Sequence, residues 1–147
     1  MKRTAIALSL GFACATSFAQ MSPVGLWKTI DDKDGTAKSE IRIVETGGVV
    51  GGKIERVLDP KAKPDEKCVE CKDDRKDQPI VGLDLMRGLK KSDTRDNLWD
   101  GGTIVEPSSG KVYKVQLTPV EGGKKLDVRG YIGAPLFGRT QTWIRVQ

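Results

Sequence analysis

The chain has 147 residues, 25 Lys+Arg against 20 Asp+Glu, 17 Gly, 3 Cys and no His. That length suits one domain, and 37% apolar with 31% charged residues excludes both a fully disordered and a membrane-embedded chain. Without histidine there is no Ser-His-Asp or Cys-His catalysis, no histidine metal site and no ordinary near-neutral proton-transfer group.

Residues 1–19 read as a secretory signal. Lys2 and Arg3 supply the positive start, Ala5 to Ala15 an apolar stretch, and Ser17-Phe18-Ala19 small residues at the −3 and −1 positions. An apolar run of eleven is too short to span a bilayer, which takes about twenty residues. The expectation is an exported chain, periplasmic or extracellular, with no stable membrane insertion once the signal is cleaved. Cleavage removes Lys2, Arg3 and Cys14, leaving Cys68 and Cys71 and a weakly basic chain of mixed sign. No basic stripe interleaves with aromatics, so nucleic acid is not an expected partner. No protein partner can be named from the residues.

From residue 20 onward, short β-like runs alternate with turn signals. They are Val24–Ile30, Ser39–Glu45, Val49–Leu58, Ile80–Leu89, Trp99–Glu106, Lys111–Pro119, Lys125–Ile132 and Thr140–Val146. In the second, Ile41 and Ile43 share one face while Arg42 and Val44 share the other. No stretch carries a helical apolar stripe. About eight strands with tight connections predict an all-β antiparallel meander, and closure into a small barrel removes its exposed edges. A sandwich is the alternative.

Residues 59–79 interrupt the pattern, with 13 charged residues in 21 and three prolines. The composition reads as a solvated loop. Cys68 and Cys71 lie inside it, and in an oxidising compartment the default is a structural disulfide. A redox pair would want a helix N-terminus, and zinc would need ligands beyond two thiols. No cofactor and no metal site is expected.

Gly25-Leu26-Trp27 opens the first run, and period two places Arg139, Gln141, Trp143 and Arg145 on one face of the last. In a closed barrel those runs are neighbours, so an arginine there can stack on Trp27 and seal one end. A G-x-W tripeptide with arginine on the final strand resembles the lipocalin and wider calycin barrels. Further segments extend the likeness: Pro23 to Lys28, Gly52-Lys53-Ile54, Cys68-Val69-Glu70-Cys71-Lys72, Pro79 to Leu83, Met86 to Leu89, Trp99 to Ile104, and Leu126 to Gly133 with Gly138 to Trp143. Together these are similar to the exported bacterial family catalogued as domain of unknown function 2147. The resemblance implies export and a small β-barrel, and supplies no catalytic residues.

An eight-stranded barrel either fills its interior or holds one small ligand. The leading expectation is a non-enzymatic binding protein for a small amphipathic or acidic molecule. Trp27, Trp99, Tyr131 and Trp143 would form its walls, with Asp100, Arg129 and Arg139 as polar contacts. A filled barrel acting on envelope proteins through the 59–79 loop is the second reading. An enzyme using Asp84 and Asp100 is the third, and it requires those two carboxylates to converge.

Overall fold

The computed structural model describes residues 21–147, so the signal-sequence reading of residues 1–19 lies outside the described residues. Eight strands close into an antiparallel barrel in simple up-and-down order. They are β1 Gly25–Ile30, β2 Ala37–Thr46, β3 Val49–Val57, β4 Asp84–Lys91, β5 Trp99–Glu106, β6 Lys111–Val120, β7 Lys125–Tyr131 and β8 Arg139–Arg145. Two short 3-10 turns, Glu121–Gly123 and Pro135–Phe137, are the only helical pieces among the described residues. The expected all-β meander and its closure are therefore both present.

Period-two alternation builds the wall. Ile41 and Ile43 are fully buried while Val44 between the strand's polar residues is about half exposed. The lower half of the barrel is solid: Trp27, Ile41, Ile43, Val50, Met86, Leu89, Val115, Leu117 and Leu126 all have no exposed surface. The seam is short. Only Trp27 with Arg145 and Lys28 with Ile144 are paired between β1 and β8.

The fourth strand begins later than the apolar run Ile80–Leu89 predicts. Gly82 takes a left-handed conformation at φ 91°, which bends the chain before Asp84. Ile54 still donates to the Leu83 carbonyl (3.0 Å) and Gly82 to that of Ile54 (2.7 Å), so the segment stays pinned to β3 as a turn.

The charged 59–79 segment is the exposed loop its composition predicts, tied down at three buried residues, Cys68, Cys71 and Arg75. Cys68 and Cys71 are bonded to each other and both are buried within the core cluster. Around them Cys68 N–H donates to the Gln78 carbonyl (2.8 Å), Asp77 N–H to that of Cys68 (3.0 Å) and Ile80 N–H to that of Glu66 (2.9 Å). Buried Arg75 pairs with Asp73 and donates to the Asp84 carbonyl at 3.0 Å. Arg87 on β4 bridges Asp74 (2.8 Å) and Asp84 (3.1 Å). Three of these charges, Asp73, Asp74 and Arg75, strap the loop to β4. The other anchor is the β5–β6 turn. Gly110 there sits at φ 72°, and a Cβ in its place would collide with the Glu70 carbonyl.

Candidate functional site

The connections β1–β2, β3–β4, β5–β6 and β7–β8 gather at one end of the barrel, and beneath them the interior is hollow. The cavity measures about 920 Å³. Its apolar wall is Ile54, Leu85, Ile104, Val128 and Trp143, each the inward or half-inward member of its strand. A polar belt follows toward the mouth. Thr29 and Ser39 hydroxyls lie 3.0 Å apart, Trp143 Nε1 donates to Gln141 Oε1 at 3.3 Å, and the Tyr113 hydroxyl donates to Glu106 at 3.2 Å. Partial desolvation and then the Glu106 charge hold the Tyr113 phenol above its ordinary value.

The cavity lining carries five carboxylates, Asp31, Asp59, Glu66, Glu70 and Glu106, and three cations, of which Lys38 and Arg139 are paired. Arg139 donates through Nε to Asp32 at 2.8 Å, with a second bond from Nη2, and this hydrogen-bonded pair keeps the Asp32 carboxyl below its usual range. Lys38 is partly desolvated, which works against its charge. Asp34 (3.4 Å) and Asp59 (3.6 Å) outweigh that and hold it above the ordinary lysine value. The rim carboxylates Glu66 and Glu70 come from the strapped loop.

The opposite end is closed. Trp27 is fully buried, its indole N–H donates to the Pro23 carbonyl at 2.7 Å, and the Arg145 guanidinium lies over the ring. That guanidinium also donates to the carbonyls of Ser22 (2.6 Å), Val24 (2.8 Å) and Gly123 (2.5 Å). Glycine is required at position 25, because a Cβ there would meet Arg145 Nη1 and the Gln147 carbonyl, both at 2.5 Å.

The structure divides the residues singled out in the sequence among three places. Trp143 and Arg139 line the cavity, at its base and its rim. Trp27 belongs to the closed end. Trp99 is buried beside Leu117 near that end, with Lys91 Nζ 5.7 Å from its ring centre. Asp100 is half-buried on β5 opposite Lys90. Arg129 and Tyr131 alternate with the inward positions Val128 and Gly130, and so stand on the outer surface. Asp84 and Asp100 do not converge. They occupy opposite ends of the β4–β5 pair, Asp100 facing Lys90 six residues from Asp84, or about 20 Å along the strand.

Lining residues that the sequence reading did not select include Tyr113, Ser39, Ile54 and Leu85. Tyr113 was accessible from pattern alone, since it keeps period two with Val115 and Leu117. Leu85 was not, because the bend at Gly82 resets the phase of its strand. Among the described residues there is no group of three or more acidic or cysteine side chains placed to hold a metal ion.

A family model described as "Uncharacterized protein conserved in bacteria (DUF2147)" matches residues 25–145. Among solved structures, "Protein HP1028 from the human pathogen Helicobacter pylori belongs to the lipocalin family" is similar in fold. Its TM-score is 0.72 at 19% identity, over 86% of this chain and 84% of that one. No curated protein matches the sequence. The family match starts at the glycine and ends at the arginine that pack together at the closed end, and spans every strand of the barrel between. The chain thus belongs to the DUF2147 family and has a lipocalin-like fold.

Proposed function

We propose that this protein is a receptor for one small amphipathic molecule, whose apolar part occupies the hollow upper half of the barrel. The observation that carries the reading is the cup itself: about 920 Å³, apolar below, hydrogen-bonding above, closed at one end. Ligand sites fall between about 300 and 1,000 Å³ and combine apolar walls with a few polar groups. A filled barrel acting only through its surface would have no such space. Carboxylate-based chemistry lacks its geometry, with Asp84 held by Arg87 and Asp100 far along the sheet.

Of the two ligand characters expected, amphipathic fits better than acidic. Two of the three cations lining the cavity, Arg139 and Lys38, already face carboxylates, and the third, Lys67, sits on the same loop as the rim carboxylates Glu66 and Glu70. An anionic head would compete with Asp32, Asp34 and Asp59, whereas a neutral or hydroxylated head meets Ser39, Gln141 and Tyr113 directly. The buried disulfide supports work in an oxidising compartment, hence outside the cytoplasm.

The test uses protein unfolded, stripped of bound lipid and refolded. It is titrated with fatty acids, monoacylglycerols and alkyl glycosides of graded chain length. Saturable quenching of Trp143 fluorescence with a matching rise in Tm is expected, about 2.7 kcal/mol of added stability at a hundredfold excess over Kd. No response across the whole panel would sink the proposal.

A further inference from the structure

We propose that the β7–β8 connection is a membrane-docking face, with Leu136 and Phe137 entering the apolar boundary of an anionic bilayer. The inference is independent of what the cavity holds. Leu136 is 82%, Phe137 78% and Ile132 66% exposed, all within one seven-residue connection. Isolated exposed apolar side chains are ordinary, but three within one short connection call for a cover.

The turn presents them stiffly. Phe137 N–H donates to the Ala134 carbonyl and Gly138 N–H to that of Pro135, each at 3.1 Å. From the outer face of β7, Arg129 donates to the Pro135 carbonyl at 2.7 Å and to the Thr140 hydroxyl at 2.8 Å. These bonds hold the backbone of the turn that carries Leu136 and Phe137.

Two features choose a lipid surface as the occupant. The first is charge. Arg129 makes no ion pair among the described residues, and neither does Arg95, which shares with it an outer groove of about 430 Å³ also lined by Leu136. Asp127 is the one acid in that groove, and its carboxylate accepts from Thr142 at 2.7 Å. Two guanidiniums beside an apolar tip suit a phospholipid phosphate. The second is size. One turn is far smaller than the roughly 800 Å² per partner that a stable protein interface needs, while insertion into a headgroup layer demands no matching surface.

The test places a reporter at the tip. Phe137→Trp in the full chain adds an exposed indole to three buried ones, and tryptophan suits the bilayer boundary. With vesicles of phosphatidylcholine containing phosphatidylglycerol, its emission should shift to the blue and be quenched by brominated acyl chains. Adding Leu136→Asp should weaken vesicle partition by roughly tenfold. Arg95→Gln should weaken it about fivefold on anionic vesicles and leave pure phosphatidylcholine unchanged. Vesicle binding through residues 1–20 alone would leave the reporter at its aqueous emission and overturn the proposal. So would a blue shift that grows with protein concentration in buffer, which would assign the patch to a second copy. An Arg95→Gln protein indistinguishable from the parent on anionic vesicles would overturn the anionic-surface assignment.

Discussion

The Arg145 guanidinium carbon lies 4.1 Å from the centre of the Trp27 ring, and the same two residues are register partners across the β1–β8 seam. This contact thus both belongs to the seam that closes the sheet and plugs its lower end. It is strong for its size because the ring supplies a face for the cation while backbone carbonyls take up the N–H groups, without any carboxylate.

Removing that cation should unlatch the seam. Arg145→Ala strips at least three carbonyls of their donor and uncovers a buried indole, with an expected cost of about 2–4 kcal/mol in urea unfolding. Arg145→Lys should recover less than half of it, since an ammonium has neither the plane nor the fork of a guanidinium. An alanine variant as stable as the parent would refute the latch.

Filling the cup should separate binding from folding. Gly130 faces the cavity on β7, and a Cβ there meets nothing nearer than Tyr113 Cβ at 3.7 Å. Gly130→Leu is expected to abolish the fluorescence response to amphiphiles while Tm stays equal or rises, as strand glycine is entropically costly. Retained binding in that variant would place the ligand elsewhere.

Breaking the Cys68–Cys71 bond should loosen the strap without unfolding the barrel. The ring it closes is small, so a Cys68→Ser/Cys71→Ser protein should lose only about 2 kcal/mol or less. Limited proteolysis should then cut within residues 59–79 first. A global drop in Tm with no local cleavage would show that the loop and barrel fold as one unit.

Acid should release the same strap. The Arg75 side chain, then its backbone N–H, hold the Asp73 carboxyl down from 3.8 to about 2. A carboxyl depressed in the folded state stabilises fully above its unfolded value and ceases to do so as pH falls through the folded one. Attachment of the loop should therefore be intact above about pH 4 and fail progressively toward pH 2. Pepsin susceptibility of residues 59–79 across that window measures it, and Asp73→Asn should show a smaller pH dependence than the parent, with Asp74 on Arg87 supplying what is left.

The strand order was legible because turn clusters and period-two runs point the same way; β5, Trp99–Glu106, begins and ends where its pattern does. The seam was legible from Gly25-Leu26-Trp27 and the arginines of the last strand. The site was legible only in part, and the reason is parity. Trp143 and Arg139 share the inward phase of β8, whereas Arg129 and Tyr131 fall in the outward phase of β7, set by Leu126 and Val128. Gly130, the inward neighbour between them, has no side chain to announce that phase. Which end of the barrel a tryptophan occupies is a further coordinate that alternation does not encode, and so Trp27 and Trp99 lie away from the cup. The burial of Cys68, Cys71 and Arg75 was hidden too, because composition does not encode the pairing of Arg75 with Asp73 and of Asp74 with Arg87 on β4 that holds the loop in place.

The plugged floor makes the barrel a cul-de-sac. A guest that goes in tail first must back out head first, by the way it came, past Tyr113, Lys38 and the strapped loop. Tail length is then gauged against a fixed stop, so homologues one or two carbons too long should protrude instead of sliding deeper. The Arg145 clasp, far from any guest, would set the measure.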